Sequence, residues 1–243
     1  MGRNRMGRMV LSGVLGVLVL AGWARADRRA YVWTYEYMTM PKGAAEVEYY
    51  LTLKAPDIDD FSAANTWEHQ LEFEYGITDH WDVAVYQRWQ HTNTAIGDKF
   101  EYTGTKLRTR YRFAEKGVYP VDLLAYLEYK RPDGSSPDDE LEAKLILAKD
   151  FGKVNVAYNQ IVEQGLRHGG KAEHGYAAGV GYEFNPTWKI GLESAGNYSD
   201  DEFYLGPTLS FARQRFWLTA GVLGGLNDRS DDLRARLIFG IPF

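Results

Sequence analysis

Gln70-Leu71-Glu72-Phe73-Glu74-Tyr75 changes polarity at every residue. Leu71, Phe73 and Tyr75 fall on one side of an extended chain and Gln70, Glu72 and Glu74 on the other, because successive strand side chains point to opposite faces. A helix would scatter this pattern around its circumference; a strand converts it into one apolar and one ionic face. The same reading holds further on, where Leu107, Thr109, Tyr111 and Phe113 alternate with Lys106, Arg108, Arg110 and Arg112. Near the end Leu233, Ala235, Leu237, Phe239, Ile241 and Phe243 share one phase, and the sequence stops at that aromatic.

Working outward, the alternation predicts twelve strands, over 44–55, 66–77, 81–92, 102–114, 120–131, 140–151, 153–164, 174–184, 187–198, 202–212, 215–226 and 232–243. Each is close to the roughly 9–11 residues that a tilted strand needs to cross a bilayer. The links alternate in length. Thr78 to His80, Glu115 to Tyr119, Gly152-Lys153, Asn185-Pro186 and Arg213-Gln214 are short. Pro56 to Asn65, Asn93 to Glu101, Pro132 to Asp139, Gly165 to Glu173 and Asn227 to Asp231 are longer and polar. Short turns at one end and longer loops at the other are the habit of outer-membrane barrels.

A soluble sandwich would also accept amphipathic strands. The first 26 residues favour the membrane: Arg3, Arg5 and Arg8 precede the apolar Val10 to Ala21, and Ala24-Arg25-Ala26 is a small-x-small cleavage site before Asp27. The expected organisation is therefore a cleaved signal peptide at 1–26, an N-terminal segment at 27–43 and an all-β, transmembrane antiparallel up-and-down β-barrel of about twelve strands at 44–243. Asp27 to Met40 alternates too, with Tyr31, Trp33, Tyr35 and Tyr37 in one phase. A thirteenth crossing would break the even strand count of single-chain bacterial barrels. The segment is expected to be periplasmic or inserted into the lumen. Aromatics gather at the strand ends: Tyr75, Trp81, Phe113, Phe151, Phe184, Trp188, Phe211, Phe216 and Phe243 near the short turns, and Trp67, Trp89, Tyr102, Tyr198 and Phe203 near the long loops. These read as interfacial girdles.

The chain has 243 residues, no cysteine and a formal net charge of -5. Disulfides and thiolate metal sites are excluded, and removal of Arg3, Arg5, Arg8 and Arg25 with the signal leaves a still more acidic protein, a poor binder of nucleic acid. The ionic phase is segregated by sign. Glu46, Glu48, Glu72 and Glu74 lie on the first two strands, Asp82 and Arg88 on the third, and Lys106, Arg108, Arg110 and Arg112 on the fourth. Closure is expected to bring Arg234 and Arg236 near Glu46 and Glu48. These twelve residues are the candidate selectivity residues. Two readings stay open for them: a wetted, solute-selective path, or an ion-paired fill that holds the barrel together. Gly175, Ala177, Gly179, Gly181, Gly206 and Gly221 share the lumen phase, either lowering one wall or relieving curvature.

Catalytic and metal readings are weak. A lipid-acting enzyme needs a serine beside a histidine. Ser194 takes the lipid-facing phase, and no histidine is expected on its strand or a neighbouring one. His168 and His174 with Glu173 form a metal candidate, against which a solvated loop weighs more heavily.

Three hairpins carry a resemblance. Tyr75-Gly76-Ile77-Thr78-Asp79-His80-Trp81-Asp82-Val83, Lys149-Asp150-Phe151-Gly152-Lys153-Val154-Asn155 and Tyr182-Glu183-Phe184-Asn185-Pro186-Thr187-Trp188 resemble turns of Gram-negative outer-membrane barrels. The set is similar to an outer-membrane transporter group that includes the phenol-degradation MetA-pathway proteins. The resemblance implies barrel hairpins and carries over no site residue. The expected function is a passive outer-membrane channel for small polar or charged solutes, without catalytic residues, cofactor or metal. A non-conducting structural or surface-interaction barrel is the alternative, and an outer-membrane lipid-acting enzyme the third reading. Expected partners are membrane lipids and lipopolysaccharide, the barrel-assembly machinery during insertion, and an unidentified small solute.

Overall fold

The computed structural model describes residues 28–62, 64–133, 138–167 and 170–243, so the expected signal peptide lies outside the described residues. The strands are β1 (Ala45–Ala55), β2 (Ala64–Thr78), β3 (Trp81–Thr94), β4 (Gly97–Arg112), β5 (Asp122–Pro132), β6 (Glu140–Phe151), β7 (Val154–Gly165), β8 (Ala172–Asn185), β9 (Trp188–Asn197), β10 (Glu202–Arg213), β11 (Phe216–Gly225) and β12 (Leu233–Pro242). Each pairs antiparallel with its chain neighbours, and β12 pairs with β1 to close the barrel. Closure leaves no sheet edge, which is what hydrocarbon demands of a strand protein, since nothing there can satisfy a free N–H or C=O.

Burial is inverted relative to a water-soluble domain. Leu71 and Phe73 are each 43% exposed, whereas Glu72 and Glu74 between them are 0% exposed. Charges are almost never buried without partners, and apolar faces are not left bare in water. Only a lipid surround makes the outside stable; the inside must satisfy its own charges. Aromatic contacts run around the short-turn end through Trp188–Phe211 (4.7 Å between centroids), Phe211–Phe216 (5.9 Å) and Phe216–Phe239 (5.9 Å). At the other end Tyr176 stacks on Tyr198 at 5.2 Å.

Three sequence expectations need correction. Asn93 to Glu101 is not a long loop: β3 and β4 pair up to Thr94 and Gly97, and Gly97 has φ 142°, a left-handed value that glycine supplies cheaply. The link after β4 is longer than read, because β4 ends at Arg112 and β5 begins at Asp122. Arg234 and Arg236 do not lie near Glu46 and Glu48. The β1–β12 register sets Arg236 opposite Thr52 and Arg234 opposite Lys54, while Glu46 and Glu48 face Pro242 and Gly240. Antiparallel strands that share an end at the rim place early residues of one beside late residues of the other.

Residues 28–44 add no strand. They run inside the barrel from the rim that carries the short turns and Phe243, the periplasmic end in barrels of this kind. Gly43 N–H donates to Gly76 O (2.8 Å) and Gly76 N–H to Ala44 O (3.0 Å), which hooks the segment to β2. A Cβ on Gly76 would lie 2.0 Å from Pro41 O, so only glycine permits the approach. The segment reaches mid-lumen at Val32 to Tyr35 and returns to the rim at Arg28, whose guanidinium donates to Pro186 O.

Candidate functional site

The inward segment has no strand partner, so its peptide groups depend on lumen side chains. Glu193 of β9 takes three of them. Its Oε2 accepts from Val32 N–H (3.0 Å), and its Oε1 accepts from Trp33 N–H (2.8 Å) and from Thr34 N–H. Asn159 of β7 accepts from Tyr35 N–H (2.6 Å) and donates to Tyr35 O (2.9 Å). Thr219 donates to Arg29 O (2.7 Å), Thr208 to Ala30 O (2.8 Å) and Arg236 Nη1 to Val32 O (3.1 Å). Nearer the rim, Met40 N–H donates to Asp82 Oδ2 (3.0 Å) and Lys42 N–H to Asp79 Oδ1 (3.0 Å). The lumen wall thus supplies the hydrogen bonds that an adjoining strand would otherwise make.

The glycine wall is explained by what lies on it. A Cβ at Gly179 would meet the Tyr31 ring at 2.5 Å, and one at Gly221 would meet Val32 Cγ2 at 2.5 Å. Tyr31 is fully buried there, with its hydroxyl donating toward the Asn155 carbonyl and side-chain oxygens at 3.0 Å each. Gly206 is a different case: its Cβ would strike Val222 O at 1.9 Å, a close approach of neighbouring strands.

Among the expected selectivity residues, seven condense into one buried cluster. Arg108 bridges Glu72 (3.0 Å) and Glu74 (2.8 Å), and lies 3.6 Å from Asp82. Arg110 binds Asp82 through Nε (3.1 Å) and Nη2 (2.8 Å), and Nη2 also meets Glu74. Glu46 accepts from Trp217 Nε1 (2.5 Å). Glu48 and Glu72 share the Tyr50 hydroxyl, 2.7 Å from Glu72, which accepts from Arg29 Nη1 at 3.1 Å. Glu46, Glu72, Glu74 and Asp82 are 0% exposed. Such charges hold in low dielectric only as a mutually paired set, since removal of one partner leaves another stranded.

The other expected residues are elsewhere. Arg112 ties the segment to the rim, donating from Nε to Thr39 Oγ1 (2.8 Å) and from Nη2 to Asp79 O, with Glu115 at 3.5 Å. Lys106 pairs with Glu128 (3.1 Å). Arg234 binds Asp231 (2.7 Å) and Glu202 (2.9 Å) and lies 4.0 Å over the Tyr204 ring. Arg236 donates to Thr52 Oγ1 (2.8 Å) and covers Trp33. Arg88 borders an outer cavity. The sequence reading missed Arg29, Glu193, Asn159, Trp217 and Tyr50. The inward phase of Glu193 was legible, but its partners on the N-terminal segment had no signal.

The segment divides the lumen. Toward the long loops lies a cavity of about 270 Å³ bordered by Trp33, Tyr35, Tyr126, Tyr204, Lys144 and Arg236. A second of about 220 Å³, bordered by Gln70, Arg88, Lys106 and Arg236, shares three of these residues with it: Gln70, Lys106 and Arg236 line both. Toward the short turns a third, of about 300 Å³, lies between Glu36, Lys116, Asp150 and Lys189.

The catalytic candidate does not assemble. His174 belongs to β8 beside β9, contrary to the expectation of no neighbouring histidine, but the register pairs Ser194 with Ala178, four residues along, or roughly 13 Å at strand rise. Ser194 Oγ instead donates to Tyr204 O (2.9 Å). His168 lies outside the described residues, and among the described residues no group of three metal-ligating side chains occurs.

A closed twelve-stranded barrel, apolar outside and ionic within, defines the class: this is an outer-membrane β-barrel. Residues 23–231 match DUF6662, a family of unknown function, and the chain belongs to that family. Among solved structures it is similar to a COG4313 outer membrane channel from Pseudomonas putida F1, with a TM-score of 0.66 and 13% identity over 88% of this chain and 100% of that one. It is similar also to the KdgM porin, solved in complex with disordered oligogalacturonate (TM-score 0.57, 10% identity, 82% of this chain and 98% of that one). The NanC porin gives a TM-score of 0.54 at 11% identity, over 82% of this chain and 98% of that one. At these identities the likeness is one of fold. No curated protein matches the sequence.

Proposed function

We propose that the protein is a passive outer-membrane channel for small polar or charged solutes, with residues 28–44 setting the width of the periplasmic half of its lumen. One observation carries this reading: water-accessible, charge-lined cavities of about 270 Å³ and about 300 Å³ lie on the two sides of a single inserted segment. Twelve strands enclose more space than the eight that side chains alone fill. The segment is covalently part of the wall only at Gly43–Ala44, so its displacement opens the periplasmic half without breaking the strand ladder. Eleven of the twelve candidate selectivity residues then act in two groups, with Arg112 at the rim apart from both. Arg108, Arg110, Glu46, Glu48, Glu72, Glu74 and Asp82 fix the wall on which the segment rests. Arg88, Lys106, Arg234 and Arg236 present charge to a solute on the outer side. The likeness of the turn motifs to the transporter group with phenol-degradation members, and the channel and porin folds, support the direction of the reading.

Planar-bilayer conductance tests it. The full mature protein is expected to give small unitary currents, and a variant lacking residues 28–40 currents several-fold larger. Absence of current from both proteins, when each is folded by heat-modifiability on gels, rejects the channel. The second reading, a non-conducting structural barrel, has one observation in its favour: the buried ion cluster and the inserted segment occupy much of the periplasmic half. It requires that result.

A further inference from the structure

Most polar groups of the lumen have partners, and several that lack one face the outer cavities. Arg88 makes no hydrogen bond and no ion pair among the described residues. Its cross-strand neighbour Gln70 makes no hydrogen bond either. Tyr86, on the same face of β3 two residues before Arg88, is 3% exposed and has a hydroxyl without a partner. Arg236 engages only neutral acceptors, Thr52 Oγ1 and Val32 O, and leaves Nη2 unused. Gln70 and Arg236 border both outer cavities, Tyr86 the one of about 270 Å³ and Arg88 the one of about 220 Å³.

Of the carboxylates nearby, Glu68 is held by Lys54 (2.6 Å) and Glu128 by Lys106 (3.1 Å), while Glu140, 3.9 Å from Lys130, is also within the field of Arg88 without an ion pair to it. What remains is an excess of donors, two of them cationic, of which Arg236, Gln70 and Tyr86 share a cavity with the ring surfaces of Trp33, Tyr126 and Tyr204 while Arg88 lines the neighbouring one. A buried hydroxyl and a guanidinium that lack acceptors are costly groups to keep, and an anion removes that cost. Guanidinium groups match a carboxylate in shape as well as charge, because its two oxygens accept parallel N–H bonds.

We propose that the outer cavity is a binding site for a small organic carboxylate, its anionic group held by Arg88 and Arg236 with Tyr86 and Gln70, its body against the aromatic wall. The proposal rests on the channel reading for its purpose, since it names the class of solute that pauses on the way through. Cationic side chains set in an aromatic wall favour ring-bearing acids over small inorganic anions, because the apolar surface is also covered.

Calorimetric titration of the full mature protein in detergent micelles tests the site, with sodium benzoate as the probe and benzamide as its uncharged counterpart. Benzoate is expected to bind at least tenfold more tightly than benzamide. Arg88→Gln is expected to weaken benzoate by about tenfold or more and leave benzamide unchanged, in line with loss of a charged hydrogen bond. Tyr86→Phe, which alters no charge, is expected to weaken benzoate several-fold and serves if the arginine variant does not fold. Equal affinity for the two probes, no benzoate heat from folded protein, or unchanged binding in both variants overturns the site. Conductance separates the two readings: current without benzoate binding removes this proposal alone, and benzoate binding without current removes the channel alone.

Discussion

Glu193→Ala is the sharpest probe of how the inserted segment is held. One carboxylate serves three consecutive buried amides, those of Val32, Trp33 and Thr34. Alanine leaves all three without an acceptor, each at about 1–3 kcal/mol. Water entering the space vacated by the side chain recovers part of this, so the low end, about 3 kcal/mol in all, is the expected loss. That corresponds to roughly a hundredfold more frequent opening of the segment, at about 1.4 kcal/mol for each factor of ten. Glu193→Gln keeps one carbonyl oxygen. If that oxygen takes the Oε1 place it retains the Trp33 and Thr34 bonds and loses only that of Val32, for about tenfold. Hydrogen exchange read by mass spectrometry on peptides covering residues 28–44 measures both. The expected order is wild type slowest, the glutamine variant intermediate, the alanine variant fastest, with β-strand peptides unchanged. Exchange at Val32–Thr34 within twofold of wild type in Glu193→Ala, with the barrel still heat-modifiable, would falsify the assignment of Glu193 as the principal clamp.

Three further outcomes follow from the same geometry. Gly179→Val places methyl groups where the Tyr31 ring lies, 2.5 Å from the added Cβ; limited trypsin digestion is expected to cut at Arg28 and Arg29 in the folded variant and to spare them in the wild type. Arg110→Met removes the cation bound to Asp82 and Glu74, so stability is expected to fall by about 3–5 kcal/mol, read as a lower urea midpoint by tryptophan fluorescence, with partial recovery when Asp82→Asn is added. Leu71→Arg, on the lipid face near mid-strand, is expected to cost about 2–4 kcal/mol in the same assay, while Leu71→Phe has little effect, because charge on that face meets hydrocarbon.

The two-residue alternation of Gln70 to Tyr75 is enough to specify a strand and its two faces, since that period is a property of the extended backbone and not of context. The closing phase of Leu233 to Phe243 and the alternating turn lengths extend it to a barrel with apolar side chains outward. Phase alone also places Glu72, Glu74, Arg108 and Arg110 on the inward side. It does not fix which strands slide past which, and there the reading of Arg234 and Arg236 went astray: their distance from Glu46 and Glu48 is set by the β1–β12 register, a long-range quantity with no local sequence mark. The loop read over Asn93 to Glu101 differs for a related reason. Polar residues suit a solvated loop and the wet end of a strand equally well, so composition does not tell where pairing stops.

The N-terminal segment shows the division most clearly. Its own residues announce only an alternating, tyrosine-rich stretch, compatible with more than one position. The complementarity that holds it in the lumen is spread over Glu193, Asn159, Thr208, Thr219, Gly179 and Gly221, on five different strands. None of these signals anything alone; a glutamate facing inward is ordinary until three amides converge on it. Sequence periodicity therefore determined the strands and their two faces, because those depend on neighbours two residues away, and the first 26 residues with the closing aromatic strand pointed those faces toward a membrane. Closure of the barrel decided what fills it and which donors stay unused, because those depend on side chains brought together from strands more than a hundred residues apart.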